Sequence, residues 1–399
     1  MTDRIYYVDA YQKQFDATAT ATRKDADGVW IALDRSAFYP TGGGQPHDTG
    51  TLRFLERAVQ VTDVLADEEN TIWHRVTAPI EKGTAVRGEI DWVRWWDHMQ
   101  QHGGEHILAG SIWHLFQGIT RGLHLGKESS TIDVKMPFGR LHLTQEERKQ
   151  LEDLANERIM SDAPIRCWFP SQDELCTLPL RKEATVDHHV RVVAAGDFEM
   201  VPCGGTHPSS TGQLGMIKIV EIAPSRGSMR IQFVAGMRAL QFFQTCMDAV
   251  HLSGAQLSAS AVTLPQAVKK MMDANDALKK ENTALKAEKA QVLAAELIAG
   301  AEPLQGGDIL IKAVLPDADM NTLRDIALHA VKQSRVIVLL AAPSPDGTLV
   351  TFARAQDAKG DMALLLRQSG TKGGGRADFA QGKAGDPDIL DVAAASLKQ

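Results

Sequence analysis

Apolar and polar residues alternate through the first ninety positions of the chain. Short apolar runs such as GVWIALDRS and RAVQVTDVLA are separated by turn-forming residues, a pattern typical of β-strands. The segment FYPTGGGQPHDTGTL is dense in glycine, proline and aspartate and predicts tight turns. We therefore predict a β-rich, barrel-like domain over residues 1–90.

A helical period replaces this alternation between about residues 97 and 118. Its apolar positions are Ile107, Leu108, Ile112 and Leu115. Strand-like pieces such as STIDVKM follow, and then a polar helix in TQEERKQLEDLANERIMSD, with Thr144 as the predicted N-cap and Glu147 three residues later. Further strand and hairpin patterns complete a predicted α+β domain over residues 91–240.

The segment from 264 to 297 has a heptad pattern. Apolar residues fall seven apart at Leu264, Met271, Leu278, Leu285 and Val292. The other seam position holds Val268, Asn275, Asn282 and Lys289, so half of the seam is largely polar. The pattern fits either a linker helix that packs on its own protein or a dimerising coiled coil or helical hairpin. We predict a helical linker over residues 241–300.

The last hundred residues, 301–399, predict a separate α/β domain. DILIKAVL and SRVIVLLAAP are candidate buried strands, and DMNTLRDIALHAVKQ is a helix between them. The segment SGTKGGGRADFAQGKAGDP predicts an irregular, exposed, cationic loop. The two Gly-Gly-Gly stretches, 42–44 and 373–375, share no flanking pattern and are not interpreted as a repeat. The predicted fold class is therefore α+β, in several domains.

Composition narrows the possible settings and partners. A length of 399 residues predicts two or three domains. The absence of an apolar run of about 18 residues predicts no membrane span, and the polar N-terminus does not resemble a signal peptide. Four cysteines are few for this length and favour a reduced, cytoplasmic setting. A net charge of −7 disfavours bulk adhesion to nucleic acid, so a nucleic-acid partner would need local basic patches.

Two short segments carry candidate metal ligands. In WWDHMQQHGGEHILAG, His98, His102 and His106 are spaced four apart, so neighbouring pairs can share an ion on one helix face. The outer pair is about 12 Å apart along a helix and cannot act alone. In CGGTH, Cys203 and His207 combine a thiolate with an imidazole, a pairing that suits zinc. Together the segments predict one zinc ion, with the histidine pair still open.

Residues 102–106 also fit H-x-x-E-H, a metalloprotease signature in which Glu105 would be the general base. Such an enzyme would need neither Cys203 nor His207. The presence of this second candidate ligand pair therefore disfavours the protease interpretation. Because Glu105 is one residue from His106, it lies about 100° around the helix from the ligand stripe. We therefore expect a solvated Glu105, whose replacement by glutamine spares most activity.

HGGEHIL, followed about a hundred residues later by CGGTH, resembles the HxxxH and CxxxH pair of the alanyl-tRNA synthetase editing domain. The chain resembles even more the long form of the free-standing alanyl-tRNA editing proteins, the AlaX family. Supporting segments are FYPTGGGQPHDTGTL, HLGKESSTIDVKM and CGGTHPSSTGQLGMIKIVEIAPSRGSMRIQFVAGMRAL. SGTKGGGRADFAQGKAGDP resembles the glycine-rich tRNA-contacting motif of the synthetase C-terminal domain, which DHH-type phosphoesterases share. The segment before residue 90 leaves no room for an aminoacylation core.

The resemblance implies a zinc-dependent trans-editing hydrolase that deacylates alanine tRNA carrying serine, with glycine as a second target. A catalytically inactive tRNA-binding module is the alternative. The implied zinc ligands, also the catalytic residues, are His102, His106, Cys203 and His207. His98 is then left as a residue near the site or as a partly exposed residue beside Asp97. Four ligands would close a tetrahedral ion, so we expect three firm ligands and a weaker fourth.

The resemblance further implies substrate and tRNA contacts. The substrate-binding candidates are Thr41, Gly42, Gly43, Gly44, Gln45, Ser129, Thr131 and Thr206. The glycines could instead serve only a tight turn, and Ser129, Ser130 and Thr131 a strand surface. Lys127 stands where related synthetases often carry glutamine, which leaves the residue that orients the substrate unassigned.

The implied partner is alanine tRNA, bound at its acceptor end and its elbow. The tRNA-binding candidates are Lys372, Gly373, Gly374, Gly375 and Arg376, with Lys383 nearby. Scattered basic residues that could contact phosphates are Arg121, Arg181, Lys182 and Arg226. A homodimer could form through the helical linker or the C-terminal domain, and no membrane partner is expected.

Overall fold

The computed structural model describes residues 1–183, 189–386 and 388–398. It divides the chain into two compact units, Met1–Leu252 and Ser253–Gln399, so the predicted boundary at residue 240 falls inside the first unit. Among the described residues, no helix is both long and apolar enough to cross a membrane.

The first unit begins with a closed six-stranded barrel, which confirms the barrel-like prediction. Its strands, with the short parallel pair β1 and β4 beside them, are β1 Asp3–Arg4, β2 Gln14–Asp25, β3 Gly28–Leu33, β4 Arg35–Ser36, β5 Gly50–Phe54, β6 Arg57–Ala66, β7 Ile72–Val76 and β8 Ala85–Ile90. The barrel order is β2-β3-β7-β6-β5-β8. Alternation explains its core: in β2, Phe15, Ala17 and Ala19 are buried while their neighbours are exposed.

A long buried helix, α1 Trp92–Phe116, follows the barrel. It begins five residues before the predicted start because the Asp91 side chain accepts a hydrogen bond from the Arg94 backbone N–H at 3.2 Å, an N-cap. The middle of α1 is buried around its whole circumference from His98 to Ile112. A helix buried on all sides holds its side chains in a fixed environment, which is what a ligand pair requires.

Two further sheets and three helices complete the first unit. In chain order they are β9 Ile119–Leu125, β10 Ser130–Lys135, α2 Gln145–Met160, β11 Ile165–Trp168, α3 Gln172–Leu175, β12 Val192–Ala195, β13 Glu199–Pro202, β14 Ile217–Ser225, β15 Ser228–Ala235 and α4 Gly236–Gln256. One sheet has the order β14-β15-β10-β9 and the other β11-β12-β13. The predicted capping box of α2 is present, with Thr144 and Glu147 exchanging hydrogen bonds, which confirms that prediction.

The second unit is a mixed sheet covered by helices on both faces. Its elements are α5 Leu264–Ala299, β16 Glu302–Pro303, β17 Ile309–Val314, α6 Met320–Ala330, β18 Val336–Ser344, β19 Gly347–Arg354, α7 Met362–Gln368, β20 Lys372–Gly375, β21 Phe379–Ala384 and α8 Ile389–Leu397. The sheet order is β16-β17-β18-β19-β21-β20. One apolar cluster joins the sheet to α5 and α6, and a second joins it to α7 and α8. The coarse α+β prediction is therefore confirmed.

The heptad segment is a single helix, α5, as predicted. Near its C-terminal end Ala290 and Ala294 are buried against the sheet cluster of their own unit. The heptad positions Met271, Leu278 and Leu285 are instead exposed. The helix thus packs on its own protein at one end, and the dimer stays a prediction.

The predicted irregular loop around 373–375 is wrong. Strands β20 and β21 form an antiparallel hairpin that pairs Gly373 with Gly382 and Gly375 with Ala380. Glycine lets the two backbones approach closely, because a Cβ on Gly373 would clash with the Gln381 carbonyl oxygen. The exposure of this segment was predicted correctly, since β20 is exposed along its length.

Candidate metal centre and adjoining cavity

Helix α1 and the loop after β13 bring the four predicted ligands together. One ligand atom from each of His102, His106, Cys203 and His207 lies within 4.8 Å of the other three. Cys203 Sγ is 3.4 Å from both His102 Nε2 and His207 Nε2. Two histidines one helical turn apart and a Cys–His loop therefore converge on one point.

The hydrogen bonding of these side chains fits a metal ion. Both ring nitrogens of His106, and Nδ1 of His207, are buried and have no hydrogen-bond partner among the described residues. A buried polar atom without a partner is costly, and a metal ion would remove that cost for the nitrogens it binds. Three imidazoles and one thiol form a set of donors that suits zinc.

Gln45 and Thr206 lie behind the ligand cluster. Gln45 Oε1 accepts a hydrogen bond from His102 Nδ1 at 2.8 Å, and Gln45 Nε2 donates to Thr206 Oγ1 at 2.9 Å. Both side chains are fully buried. Because His102 donates through Nδ1, its Nε2 carries the lone pair that a metal needs. Gln45, a predicted substrate residue, therefore contacts the ligand His102. It also contacts Thr206, another predicted substrate residue.

Sequence reasoning missed Arg191, which fixes the loop that carries Cys203. Its buried guanidinium donates to the carbonyl oxygens of Cys203 at 3.1 Å and Gly205 at 2.7 Å. The same group lies 5.0 Å from the centre of the Tyr7 ring. No local pattern marks Arg191, because its role depends on a loop twelve residues further along the chain.

Burial sets the protonation of the ligands. It lowers the pKa of His102 to about 3, so the ring is neutral and able to bind a metal. Burial also raises the pKa of the Cys203 thiol to about 12. A cation at the site would reverse this second shift, because a coordinating thiol is deprotonated by the ion itself.

A cavity of about 560 Å³ opens on the cluster. Its wall includes His102, His106 and Cys203. Thr41, Gly42 and Gly43 also line it. The cluster is therefore reachable by a small acyl group.

The glycine loop is a tight turn at the edge of this cavity. Gly42 and Gln45 exchange backbone hydrogen bonds of 3.0 and 2.9 Å, and Gly43 and Gly44 have φ of 58° and 85°. Two successive positive φ values define a type I′ turn, which favours glycine. The turn interpretation is therefore confirmed, and the loop also lies at the cavity, while its contact with substrate stays a prediction.

Basic residues surround the cavity. Arg4, Arg121, Arg181 and Lys182 all line it. Arg181 is held by Glu199, with 2.7 Å between Nη2 and Oε1, whereas Arg121 and Lys182 are exposed. The cations thus form a local basic patch in a chain of net negative charge. Arg226 lies elsewhere, at the tip of the β14–β15 hairpin.

The prediction that Glu105 is solvated is wrong. Glu105 is only 7% exposed and lines the cavity beside His106. Because the middle of α1 is buried all around, a position 100° from the ligand stripe still faces protein or cavity. Burial raises the pKa of the Glu105 carboxyl to about 7, and the nearby Arg181 opposes that shift.

His98 is also buried, contrary to the expectation of a partly exposed residue beside Asp97. Its Nδ1 lies 3.7 Å from Asp48 Oδ1, and it is one of the residues around a second cavity of about 380 Å³. His98 does not join the group of ligand atoms. Lys127 borders the same second cavity.

The structure does not bring the other predicted contacts to the metal cluster. Ser129 accepts a hydrogen bond from Gln232 at 2.6 Å, and Thr131 pairs across the sheet with Gln232 and His124. Neither residue lines the 560 Å³ cavity. The tRNA candidates 372–376 belong to the second unit. The four cysteines are free thiols.

Comparisons with known proteins connect this geometry to translation. Residues 6–94 match the model of class II (A) tRNA synthetases. Residues 190–232 match that of the threonyl and alanyl tRNA synthetase second additional domain. The second match contains Cys203 and His207.

Two curated relatives align with all or nearly all of the chain. An alanyl-tRNA editing protein, AlaX-L of Pyrococcus horikoshii, is 29% identical over 100% of this chain and 99% of its own length. The alanine–tRNA ligase of Pyrococcus furiosus is 32% identical over 96% of this chain, which spans 42% of the ligase. The C-Ala domain of Aquifex aeolicus alanyl-tRNA synthetase aligns with 25% of this chain and 94% of that domain, at 25% identity and a TM-score of 0.23. The chain is therefore similar along its whole length to an alanyl-tRNA editing protein, and two of its segments match models of tRNA synthetase domains.

Proposed function

We propose that this chain is a zinc-dependent trans-editing hydrolase of mischarged alanine tRNA. Its substrate is the ester that joins serine, with glycine as the second candidate, to the terminal ribose. One observation carries the proposal: His102, His106, Cys203 and His207 converge within 4.8 Å on the wall of a cavity rimmed by the glycine turn. One zinc ion bound there supplies a Lewis acid that polarises an ester carbonyl.

The protein's own groups hold this site in place. Gln45 orients the His102 ring through Nδ1, and Arg191 fixes the backbone of the Cys203 loop. Such supporting hydrogen bonds keep ligands in a productive geometry without reorganisation during the reaction. The cavity volume of about 560 Å³ accommodates an amino acid and part of a ribose.

Charge around the cavity supports an RNA substrate. The exposed side chains of Arg121 and Lys182 stand at the cavity, where they could contact the phosphate that joins the terminal nucleotide to the preceding one. Phosphate contacts position a nucleic acid without reading its sequence. In this proposal, contacts outside the cavity select alanine tRNA. The exposed strand β20, with Lys372 and the adjacent Arg376, is the candidate for contact with the tRNA elbow.

Discrimination against correctly charged alanine follows from differential binding. A pocket that hydrogen-bonds the serine hydroxyl leaves its own polar groups unpaired when alanine enters. The hydrolysis rates of seryl, glycyl and alanyl esters on the same tRNA therefore measure specificity directly.

The test is deacylation of serine-charged alanine tRNA by wild type, Cys203→Ala and Cys246→Ala. Loss of a direct ligand should lower kcat/KM by roughly 100-fold or more, since even supporting partners of ligands are worth 10- to 100-fold. Cys246 is exposed on α4, so its replacement should leave activity unchanged. Wild type that binds tRNA without hydrolysis would instead identify a binding module, and peptide cleavage that survives Cys203→Ala would identify an HxxEH protease.

Assembly is a separate part of the proposal. The exposed heptad residues of α5, including Leu278 and Leu285, could pair two copies of the chain as a coiled coil. Light scattering of wild type and a Leu278→Asp variant tests this, because a charge on the seam should convert a dimer into monomers.

A further inference from the structure

Glu105 is a buried carboxylate that the ligand cluster does not use. It stands next to His106 on α1 and lines the same cavity, yet it lies outside the group of convergent ligand atoms. Within residues 1–183, 189–386 and 388–398, its carboxylate has no hydrogen bond or ion pair at all. A buried acidic group normally has a partner, so this one is open to a partner that enters the cavity.

Two other buried carboxylates of the first unit, unlike Glu105, have partners within the protein. Glu199 is paired with Arg181 at 2.7 Å, and Asp48 accepts a backbone hydrogen bond from Tyr39 at 2.7 Å. Each of these groups stabilises the protein around it through its contacts. Glu105 has no such structural role to explain its burial.

The cations around the cavity do not satisfy Glu105 directly. Arg181 is committed to Glu199 and to the hydroxyl of Thr120, at 3.2 Å. Lys182 is exposed. Among the described residues that line the cavity, the charged ones are four cations and the single carboxylate of Glu105, which stands beside the ligand His106.

The substrate class supplies a matching cation. If the proposed function holds, the reacting ester belongs to an amino acid whose α-amino group is free and protonated near neutral pH. We propose that Glu105 binds this α-ammonium group, so that the site prefers aminoacyl esters over esters that lack the charge. The ammonium is attached to the carbon next to the ester carbonyl. A group one residue along α1 from His106 is therefore well placed to hold it while the carbonyl faces the ligand cluster.

This assignment makes Glu105 a substrate-binding residue, with a role distinct from that of the general base in the HxxEH interpretation. A general base would act on water and would be needed for every ester that the site cleaves. An ammonium-binding carboxylate is needed only for substrates that carry the ammonium. The two roles therefore separate when the α-amino group is removed from the substrate.

The experiment compares two substrates on wild type and Glu105→Gln. One is serine-charged alanine tRNA, and the other is the same tRNA after nitrous acid deamination, in which a hydroxyl replaces the α-amino group. Each kcat/KM is divided by the rate of uncatalysed hydrolysis of that ester. Wild type should prefer the ammonium substrate, and Glu105→Gln should reduce this preference by about 10- to 100-fold, the value of a hydrogen bond to a charged group.

The preference is a ratio measured on one protein sample, so zinc content and folded fraction cancel. Glu157→Gln, at an exposed position on α2, should leave the ratio unchanged. Equal losses on both substrates in Glu105→Gln, or no loss on either, would overturn the role of Glu105 and leave the hydrolase intact. Wild type that cleaves neither ester would overturn the proposed function and, with it, this inference.

Discussion

Two segments of the chain have the same three-glycine sequence and use it for different reasons. The first, 42–44, is a turn at the cavity of the first unit, where Gly43 and Gly44 have φ of 58° and 85°. The second, 373–375, is strand β20 of the second unit, paired along its length with β21. None of its three glycines has a positive φ.

The difference shows which property of glycine each segment needs. The turn needs backbone dihedrals that side chains disfavour. The strand needs the absence of a Cβ, because Gly373 and Gly375 face the backbone of β21 at close range. Composition alone cannot separate these two cases, which is why the second segment was mistaken for an irregular loop.

Gly44→Ala should have the largest effect on stability. Its Cβ would combine a positive φ of 85° with a clash against the Leu123 carbonyl oxygen. Strain and overpacking together should lower the free energy of unfolding by about 3 kcal/mol. Gly43→Ala is the matched control, with positive φ and open space around it, and should cost about 1 kcal/mol. Urea denaturation measures both, and equal losses would show that the Leu123 contact is unimportant.

Gln45→Ala should have the next largest effect. It should lower zinc affinity and deacylation activity while the chain stays folded. The change removes the acceptor that fixes His102 Nδ1, and loss of such a partner typically costs 10- to 100-fold in metal affinity or activity. Zinc competition with a chelator and deacylation kinetics measure this. The exposed Gln150 on α2 provides the control Gln150→Ala, and a zinc affinity equal to that of wild type in Gln45→Ala would remove Gln45 from the site.

Gly373→Ala should have a smaller and local effect. The Cβ would meet the backbone at Gln381 and Gly382, but an edge strand can shift, so we expect a loss of about 1–2 kcal/mol. Hydrogen exchange over residues 372–384 should accelerate accordingly. Gly374→Ala, whose Cβ would meet nothing within 4 Å, should leave exchange unchanged. A matching acceleration in Gly374→Ala would mean that flexibility of the chain, rather than close approach, explains the glycines.

Arg376→Ala should have the smallest effect, on tRNA binding. Arg376 is exposed and 3.3 Å from Asp378, so its contribution to affinity is expected to be about two- to fivefold. A lost phosphate contact should also reduce the slope of log affinity against log salt by about 0.7–0.9. Arg324→Ala on α6 is the control. An unchanged slope would exclude Arg376 as a phosphate contact.

The sequence predicted the parts of the fold that depend on local patterns. Strand alternation predicted the barrel, the heptad spacing predicted α5, and the Thr144–Glu147 spacing predicted the capping box of α2. Each of these features depends on residues within a few positions of one another. The convergence of His102 and His106 is equally local, since spacing by four places side chains one turn apart.

Other features of the site depend on contacts between distant segments. Gln45 reaches His102 across 57 residues and Thr206 across 161, and no spacing rule links such positions. The burial of Glu105 depends on what packs around α1, which the helix pattern does not reveal. The same limit explains why the sequence left His98 with two interpretations, because its burial depends on packing beside the distant residue Asp48.

The most direct test of zinc-dependent editing is removal and return of the metal in the full chain. The wild-type protein is treated with a chelator, its zinc content is measured, and hydrolysis of serine-charged alanine tRNA is followed while zinc is added back. Activity should disappear on removal and return in proportion to zinc, reaching its maximum at one ion per chain. Full hydrolysis by the metal-free protein would show that editing does not depend on zinc.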